Sequence, residues 1–126
     1  MNQIIAYVSR RIRSFGYAFQ GIATFFRATP HAKIHLLAVG VISGLGWYLS
    51  LVTWEWCAIL ICMALVITAE AINSAIEYVV DLASPEQHPL AGKAKDVAAG
   101  AVLLSVIFCG IIWSLIFVPK LLPLFR

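Results

Sequence analysis

Four oxygen-bearing side chains recur at helical spacing near the middle of the chain: Glu70, Asn73, Glu77 and Asp81. At about 100° per residue they fall within about 80° of one another around a helix, so they share one face. Carboxylates stacked in this way at a membrane boundary repel one another and persist only where cations or partner groups compensate them. Such oxygen ligands suit Mg²⁺, which takes one or two carboxylates together with water and phosphate. The spacing therefore predicts a metal-ready acidic site.

The alternative interpretation of this face is a helix end that emerges into water with its polar side solvated. Asp81 fits that interpretation as well as it fits a site. Glu70 fits it poorly, because residues 56–69 lead up to it without a single charge. An ionisable group that follows such an apolar run is a functional hypothesis by default.

The longest polar segment, residues 84–96, lies just beyond the acidic face and carries Lys93 and Lys95. Cations beside carboxylates indicate an anionic ligand clamped together with a divalent metal, and polyphosphate is the obvious candidate. The alternative is that the lysines anchor the chain to lipid phosphates. No P-loop, protein-kinase or dinucleotide motif is present. His31 and His35, four residues apart, are interpreted as interfacial residues rather than as a metal pair.

The composition shows what kind of chain must position these groups. Of the 126 residues 62% are hydrophobic and 12% are charged, the mean hydropathy is +0.93 and the net charge is +3. A globular domain carries about twice that share of charged residues, so a soluble domain is excluded, as are disordered, collagen-like and disulfide-scaffold classes. The length predicts one domain, residues 1–126. The cysteines Cys57, Cys62 and Cys109 are predicted to be buried free thiols.

An all-α fold with three membrane-spanning helices follows from the apolar runs, at about residues 33–52, 54–82 and 95–122 with a loop at 83–95. Seven of the nine basic residues lie before the first span or between the second and third: Arg10, Arg11, Arg13, Arg27, Lys33, Lys93 and Lys95. Lys120 and Arg126, at the tail, oppose the pattern. Under the positive-inside rule the N-terminus and this loop are cytoplasmic.

An amphipathic helix is predicted at about residues 3–28. Its apolar residues are three or four apart, and its arginines lie mostly elsewhere around the helix: Ile5, Val8, Ile12, Phe15, Phe19, Ile22 and Phe26. This pattern favours a helix on the surface of an anionic membrane, and packing against a neighbouring helix is the alternative. Thr29 and Pro30 end the helix and lead into the first span.

Residues 70–81, which read E-x-x-N-S-A-I-E-x-x-V-D, resemble the prokaryotic integral-membrane diacylglycerol kinase and undecaprenol kinase family. The resemblance extends over HPLAGKAKD at 88–96, AAGAV at 98–102 and FGYAFQG at 15–21. It implies a homotrimer in the bacterial inner membrane, with active sites at subunit contacts near the cytoplasmic boundary. The implied reaction moves the γ-phosphoryl group of MgATP to the hydroxyl of a membrane lipid. Diacylglycerol is favoured on family prevalence, undecaprenol is the alternative, and nucleic acid is not an expected partner.

The same resemblance assigns roles to particular residues. Glu70 would be the general base that takes the proton of the lipid hydroxyl, Glu77 would hold Mg²⁺ and Asn73 would support the site. The nucleotide would be bound by Lys95 and Asp96, with further candidates around it: Arg10, Tyr17, Asp81 and His88.

One position departs from the family pattern. Relatives commonly carry a glutamate that binds metal just before the first span, often with asparagine two residues later, and Thr29 and His31 occupy those places here. The departure leaves Mg²⁺ with Glu77 and phosphate oxygens, or with His31 or another substitute, and weaker metal binding is expected. An inactive homologue that acts as a membrane scaffold or a cation-conducting oligomer is therefore a second class of function.

Overall fold

The computed structural model describes residues 2–125, with side chains described from residue 6 onward. It consists of four α-helices and a terminal 3₁₀ turn, in the order α1 (Asn2–Ala28), α2 (Pro30–Tyr48), α3 (Thr53–Ala83), α4 (Pro89–Leu121) and Leu122–Phe125. No strand occurs within the described residues. The predicted all-α class is confirmed.

The two longest helices, α3 and α4, pack as an antiparallel pair and make the most extensive contact in the molecule. Ion pairs mark the two ends of this pair. Lys120 meets Glu55 where α3 begins, and Lys95 meets Asp81 where α3 approaches its end. Because the partner residues on α4 run backward as α3 runs forward, the two helices lie side by side along nearly their whole length.

The buried core lies in the half of the α3–α4 pair that contains the turn between α2 and α3. It is formed by residues from that turn and from both long helices: Leu51, Ile59, Met63, Ile116 and Phe117, continued by Cys62, Val66 and Cys109. All three cysteines are free, as predicted. The prediction that all three are buried is wrong for Cys57, which is exposed because it lies on the outward side of α3.

The loop between α3 and α4 is shorter than predicted and spans residues 84–88 instead of 83–95. Helix α4 begins early because His88 caps it: the Nδ1 atom of His88 accepts the backbone N–H of Leu90 at 3.2 Å. Pro89 then occupies the first helical turn, where no backbone donor is needed. Residues 90–95, predicted as loop, are therefore the first turns of a helix.

Helix α2 is also displaced from its predicted bounds of 33–52. It begins at Pro30, after Thr29 in an extended conformation, and it ends at Tyr48. The chain reverses at Ser50, whose φ of 51° is left-handed, and the N–H of Leu51 returns to the carbonyl of Gly46 at 3.1 Å. Residues 49–52, predicted as the end of the first span, thus form a turn and add no length to α2.

Two helical segments are long and apolar enough to cross a membrane, Thr53–Ala83 and Pro89–Phe125. Helix α2 is not a third by that criterion, because His31, Lys33 and His35 in its first turns lower the mean hydropathy of its 19 residues. A span formed by α2 stays a prediction.

Most of the apolar face of α1 is not covered by the rest of the described chain, although Phe26, at its end, is half-buried. The other residues described on this face are between 48% and 69% exposed: Val8, Ile12, Phe15, Phe19 and Ile22. Ile5, predicted to begin this face, lies outside the described side chains. Packing against another helix of the same chain therefore does not explain the amphipathic pattern, and a membrane surface or a second copy of the chain is left.

Candidate functional site

The corner between α1 and α2 lies against the second half of α3. Thr29 is extended and Pro30 starts α2, so the chain turns sharply at this point. The hydroxyl oxygens of Thr29 and Ser74 lie 3.3 Å apart and both residues are buried. This hydrogen bond joins positions 45 residues apart in sequence. It brings Thr29, which the resemblance predicts to occupy a metal-binding position, to the acidic face of α3.

A polar cavity of about 250 Å³, called here the acidic pocket, lies beside this hydrogen bond. It is lined by residues 28–31 of the corner and by Glu70, Asn73, Ser74, Glu77 and Tyr78 of α3. Three of the four residues that share a helical face by spacing therefore open into one cavity. His31, the possible substitute ligand, is exposed at its edge.

Glu70 is the most buried carboxylate of the acidic pocket, with 4% of its surface exposed. Within the described part of the chain it forms no ion pair, and its carboxylate accepts no hydrogen bond. A buried carboxylate without a compensating cation is held at a cost in stability. Such a group can accept a proton from a hydroxyl that reaches it.

Asn73 and Glu77 lie one helical turn apart and are hydrogen-bonded to each other. The Nδ2 atom of Asn73 donates to the Oε1 atom of Glu77 at 3.1 Å, and the Oδ1 atom of Asn73 is buried without a partner. Oxygen donors of this kind fit a hard cation such as Mg²⁺. Among the side chains of residues 6–125, however, no three His, Cys, Asp or Glu groups converge on one point. The acidic pocket suits a metal that brings ligands of its own.

Asp81 is separated from the other residues of the acidic face. Its Oδ1 atom lies 2.5 Å from the Nζ atom of Lys95, and this ion pair is largely exposed. Both residues line a second cavity of about 520 Å³, called here the loop cavity, together with His88 and the rest of the 84–88 loop. The charge of Asp81 is thus compensated by Lys95, and it does not add to the acidic pocket.

A third cavity, the apolar groove, runs between the second half of α1 and α3 and has a volume of about 720 Å³. Phe25, Ile67 and Ile72 are among its lining residues. Ser74 and Tyr78 line both the apolar groove and the acidic pocket, so the two cavities share a wall. An apolar molecule with a polar end could lie across that wall.

The remaining predicted nucleotide residues lie outside these three cavities. Arg10 and Tyr17 are exposed on α1, and Asp96 is exposed on α4 beside Lys95. The predicted metal residue Thr29 lines the acidic pocket, but its hydroxyl is engaged with Ser74.

Comparison with known proteins connects this arrangement to a family. The family model described as prokaryotic diacylglycerol kinase matches residues 16–117. The chain belongs to the prokaryotic diacylglycerol kinase family. The match confirms the resemblance carried by residues 70–81 and 88–96.

Proteins similar to this chain carry two different names, undecaprenol kinase and diacylglycerol kinase. An undecaprenol kinase of Bacillus subtilis is 37% identical over 114 residues, covering 90% of this chain and 93% of the relative. A diacylglycerol kinase of Helicobacter pylori is 35% identical over 106 residues, covering 83% and 82%. One of Escherichia coli K12 is 30% identical over 108 residues, covering 86% and 88%. The chain is thus a lipid kinase by family, and a kinase implies the use of ATP and typically of a metal.

Ser74 and Tyr78 are the residues of the site that the sequence patterns did not single out. Both lie within the 70–81 motif, yet neither carries a charge and Tyr78 lies off the acidic face. Their position in the shared wall depends on where the α1–α2 corner packs. The one available signal was the hydroxyl of Ser74 next to Asn73 in the motif.

Proposed function

We propose that this family member transfers the γ-phosphoryl group of ATP to the hydroxyl of a membrane lipid, with Glu70 as the general base. Glu70 accepts the hydroxyl proton while the lipid oxygen forms its bond to the γ-phosphorus. The bond between that phosphorus and the β,γ-bridging oxygen breaks, and ADP leaves. A positioned base contributes about 10²–10⁴-fold to such a transfer.

The observation that carries the proposal is the wall shared by the apolar groove and the acidic pocket. A lipid lying in the groove would extend its hydroxyl past Ser74 and Tyr78 toward Glu70. Glu70 and Glu77 both line the acidic pocket without an ion pair in the described chain, and Glu70, the more buried of the two, is the proposed acceptor of the proton.

The loop cavity is the proposed site of the nucleotide. Lys95 and His88 line it, and Lys95 gives it a cation for phosphate oxygens. Glu77 and Asn73 would hold Mg²⁺ between the loop cavity and Glu70, where the metal would neutralise charge on the phosphates. Asp96, Arg10 and Tyr17 are proposed to contact the nucleotide when it is bound, and Asp81 to position Lys95.

We propose diacylglycerol as the acceptor and undecaprenol as the second candidate. The names of several relatives favour diacylglycerol, whereas the relative with 37% identity is named for undecaprenol. Both lipids present a primary hydroxyl at the end of an apolar body, which is what the apolar groove and the acidic pocket would accommodate together.

The membrane arrangement is also proposed. Helix α2 would form a third span beside α3 and α4, three copies of the chain would form a trimer, and the sites would face the cytoplasm in a bacterial inner membrane. The exposed apolar side chains of α1 and α2 support burial in lipid or against another copy, and Ile12, Phe15, Leu37 and Val41 are all more than 60% exposed. The basic residues of α1 and Lys93 and Lys95 at the beginning of α4 support the orientation.

The test is lipid phosphorylation by the purified full chain in mixed micelles. Radiolabelled MgATP is supplied with either diacylglycerol or undecaprenol, and the labelled lipid is separated and counted. Labelled phosphatidic acid or undecaprenyl phosphate is the expected result, and the preferred lipid identifies the acceptor. If neither lipid is labelled while the protein conducts cations in vesicles, the proposal is wrong and the cation-conducting alternative is favoured.

A further inference from the structure

The first turn of α4 is capped by an imidazole that can do so only while it is uncharged. His88 precedes the helix, and its Nδ1 atom accepts the backbone N–H of Leu90 at 3.2 Å. A ring nitrogen accepts a hydrogen bond only when it carries no proton, so the proton of the neutral ring lies on Nε2. His88 is therefore present as the Nε2–H tautomer.

A second proton on the ring of His88 would remove this cap. Protonated Nδ1 becomes a donor that faces another donor, the N–H of Leu90. The charged ring would also lie at the positive end of the helix dipole, where a cation is unfavourable. His88 is exposed to solvent, and histidine is the side chain whose charge ordinarily changes between about pH 5 and 8. Acidification therefore releases the cap.

Three charged residues line the loop cavity together with His88: Asp81 at the end of α3, Glu86 in the loop and Lys95 in α4. Asp81 and Lys95 are paired with each other, so their charges largely offset. Glu86 forms no ion pair within the described residues, and it is the carboxylate that would attract a charged ring away from the start of α4. The loop thus offers the ring a partner in its charged state as well.

The cap bears on Lys95, which follows His88 by about two helical turns. Pro89 has no N–H, so the N–H of Leu90 is the first donor of the helix, and His88 accepts it. Among the described residues of α4, Ala98 is the first that is buried. Core packing therefore does not anchor the turns that carry Lys95 into the loop cavity, and their order depends on the cap.

We propose that His88 is a positioning residue, which holds Lys95 in the loop cavity while its ring is neutral and releases it when the ring takes up a second proton. The inference rests on the proposed function for its consequence, because that function assigns Lys95 to the phosphates of the nucleotide. Loss of an N-cap changes a helix equilibrium by about two- to thirty-fold. We expect His88 to lower the nucleotide affinity about three-fold between about pH 7.5 and 5.5.

The first measurement is nitrogen-15 NMR of the full chain in detergent micelles, with labelled imidazoles and amides. The chain has three histidines, so the ring signals that disappear in His88→Asn belong to His88. At about pH 7.5 the ring should be the Nε2–H tautomer, and on acidification the amide signal of Leu90 should shift together with the ring signals. An Nδ1–H tautomer, or a Leu90 amide that does not follow the ring, overturns the inference.

The second measurement is the affinity for a non-hydrolysable ATP analogue with Mg²⁺, by calorimetry at both pH values. Asparagine caps helices without titrating, so in His88→Asn the dissociation constant should rise about three-fold less on acidification than in the unmodified chain. The phosphates of the analogue titrate in the same way with both proteins, so the difference isolates His88. The matched control is His35→Asn, which removes a half-buried imidazole of α2 away from the loop cavity and should respond to acid as the unmodified chain does.

His88→Ala separates the cap from the charge of the ring. It has neither a cap nor a titrating group, so it should bind the analogue about three-fold more weakly than His88→Asn at both pH values. The inference is overturned if these two variants bind equally, or if His88→Asn keeps the acid response of the unmodified chain. Failure of the proposed function is a separate result: the analogue does not bind at either pH and no lipid is phosphorylated, while the NMR signals still decide whether the ring caps α4.

Discussion

Helix α3 carries a buried carboxylate at each end of its apolar run, and the two differ in whether a cation compensates the charge. Glu55 is 6% exposed and Glu70 is 4% exposed. Glu55 has the Nζ atom of Lys120 at 3.1 Å and accepts the backbone N–H of Val52 at 2.9 Å. Glu70 has neither a cation nor a donor in the described chain.

The difference indicates that the charge of Glu55 stabilises the fold and that the charge of Glu70 does not. Glu55 caps α3 and joins it to the end of α4, so its charge is consumed in holding the helix pair together. Glu70 contributes nothing comparable to the fold, and the cost of burying it must be offset elsewhere. A carboxylate such as Glu70, which is buried at a cost in stability, is a candidate for a functional role.

The role of Glu70 can be tested by removing its charge. Glu70→Gln should lower the rate of lipid phosphorylation by about 10³-fold, because a positioned base supplies about that factor. Its free energy of unfolding should rise, because an uncompensated charge leaves the interior. The measurements are kcat in mixed micelles and denaturant unfolding of the same preparation.

Glu55→Gln is the matched control for this substitution. It removes a carboxylate from the same helix, and it should keep kcat within about two-fold while its free energy of unfolding falls, because the ion pair with Lys120 is lost. Near-normal turnover by the Glu70→Gln variant would remove Glu70 from the role of base.

The α3 side of the acidic pocket could be predicted from the sequence. Glu70, Asn73 and Glu77 share a face because of helical geometry alone, and the uncharged run before Glu70 indicated its burial. The same geometry predicted that Asp81 would join them, and it does not, because Lys95 lies beside it across the α3–α4 pair. Local periodicity says which residues share a helical face, and it does not say which neighbour compensates them.

The other features of the fold and the site depend on contacts between residues that are far apart in the sequence. Nothing in the spacing of Glu55 and Lys120 shows that they meet, since the pair forms only after α3 and α4 align in antiparallel register. The hydrogen bond between Thr29 and Ser74 likewise needs the corner after α1 to reach α3. The length of the loop was missed because the cap at His88 outweighed the polar composition of residues 90–95.

The ion pair of Glu55, at the other end of α3, can be tested through Lys120. Lys120→Met leaves Glu55 without its cation, so the free energy of unfolding should fall. The kcat of the protein that stays folded should not change, because Glu55 and Glu70 are about 22 Å apart along the helix. Combining Lys120→Met with Glu55→Gln should recover most of the lost stability. An equal loss in the double variant would mean that Lys120 stabilises the fold through its packing and not through Glu55.

Asp81 is an exposed carboxylate of α3, and its ion pair can be tested through Lys95. The ion pair of Asp81 and Lys95 lies in solvent, so Lys95→Met should change the free energy of unfolding by less than about 1 kcal/mol. The KM for ATP should rise by about ten-fold, because a charge-assisted hydrogen bond to phosphate contributes about 1.5–3 kcal/mol. Lys33→Met removes an exposed lysine away from the loop cavity and should leave the KM unchanged. If both variants raise the KM equally, Lys95 acts only through the general attraction of positive charge for ATP. The exposed pair of Asp81 and Lys95 would then have no specific role in nucleotide binding, like the pair of Glu55 and Lys120.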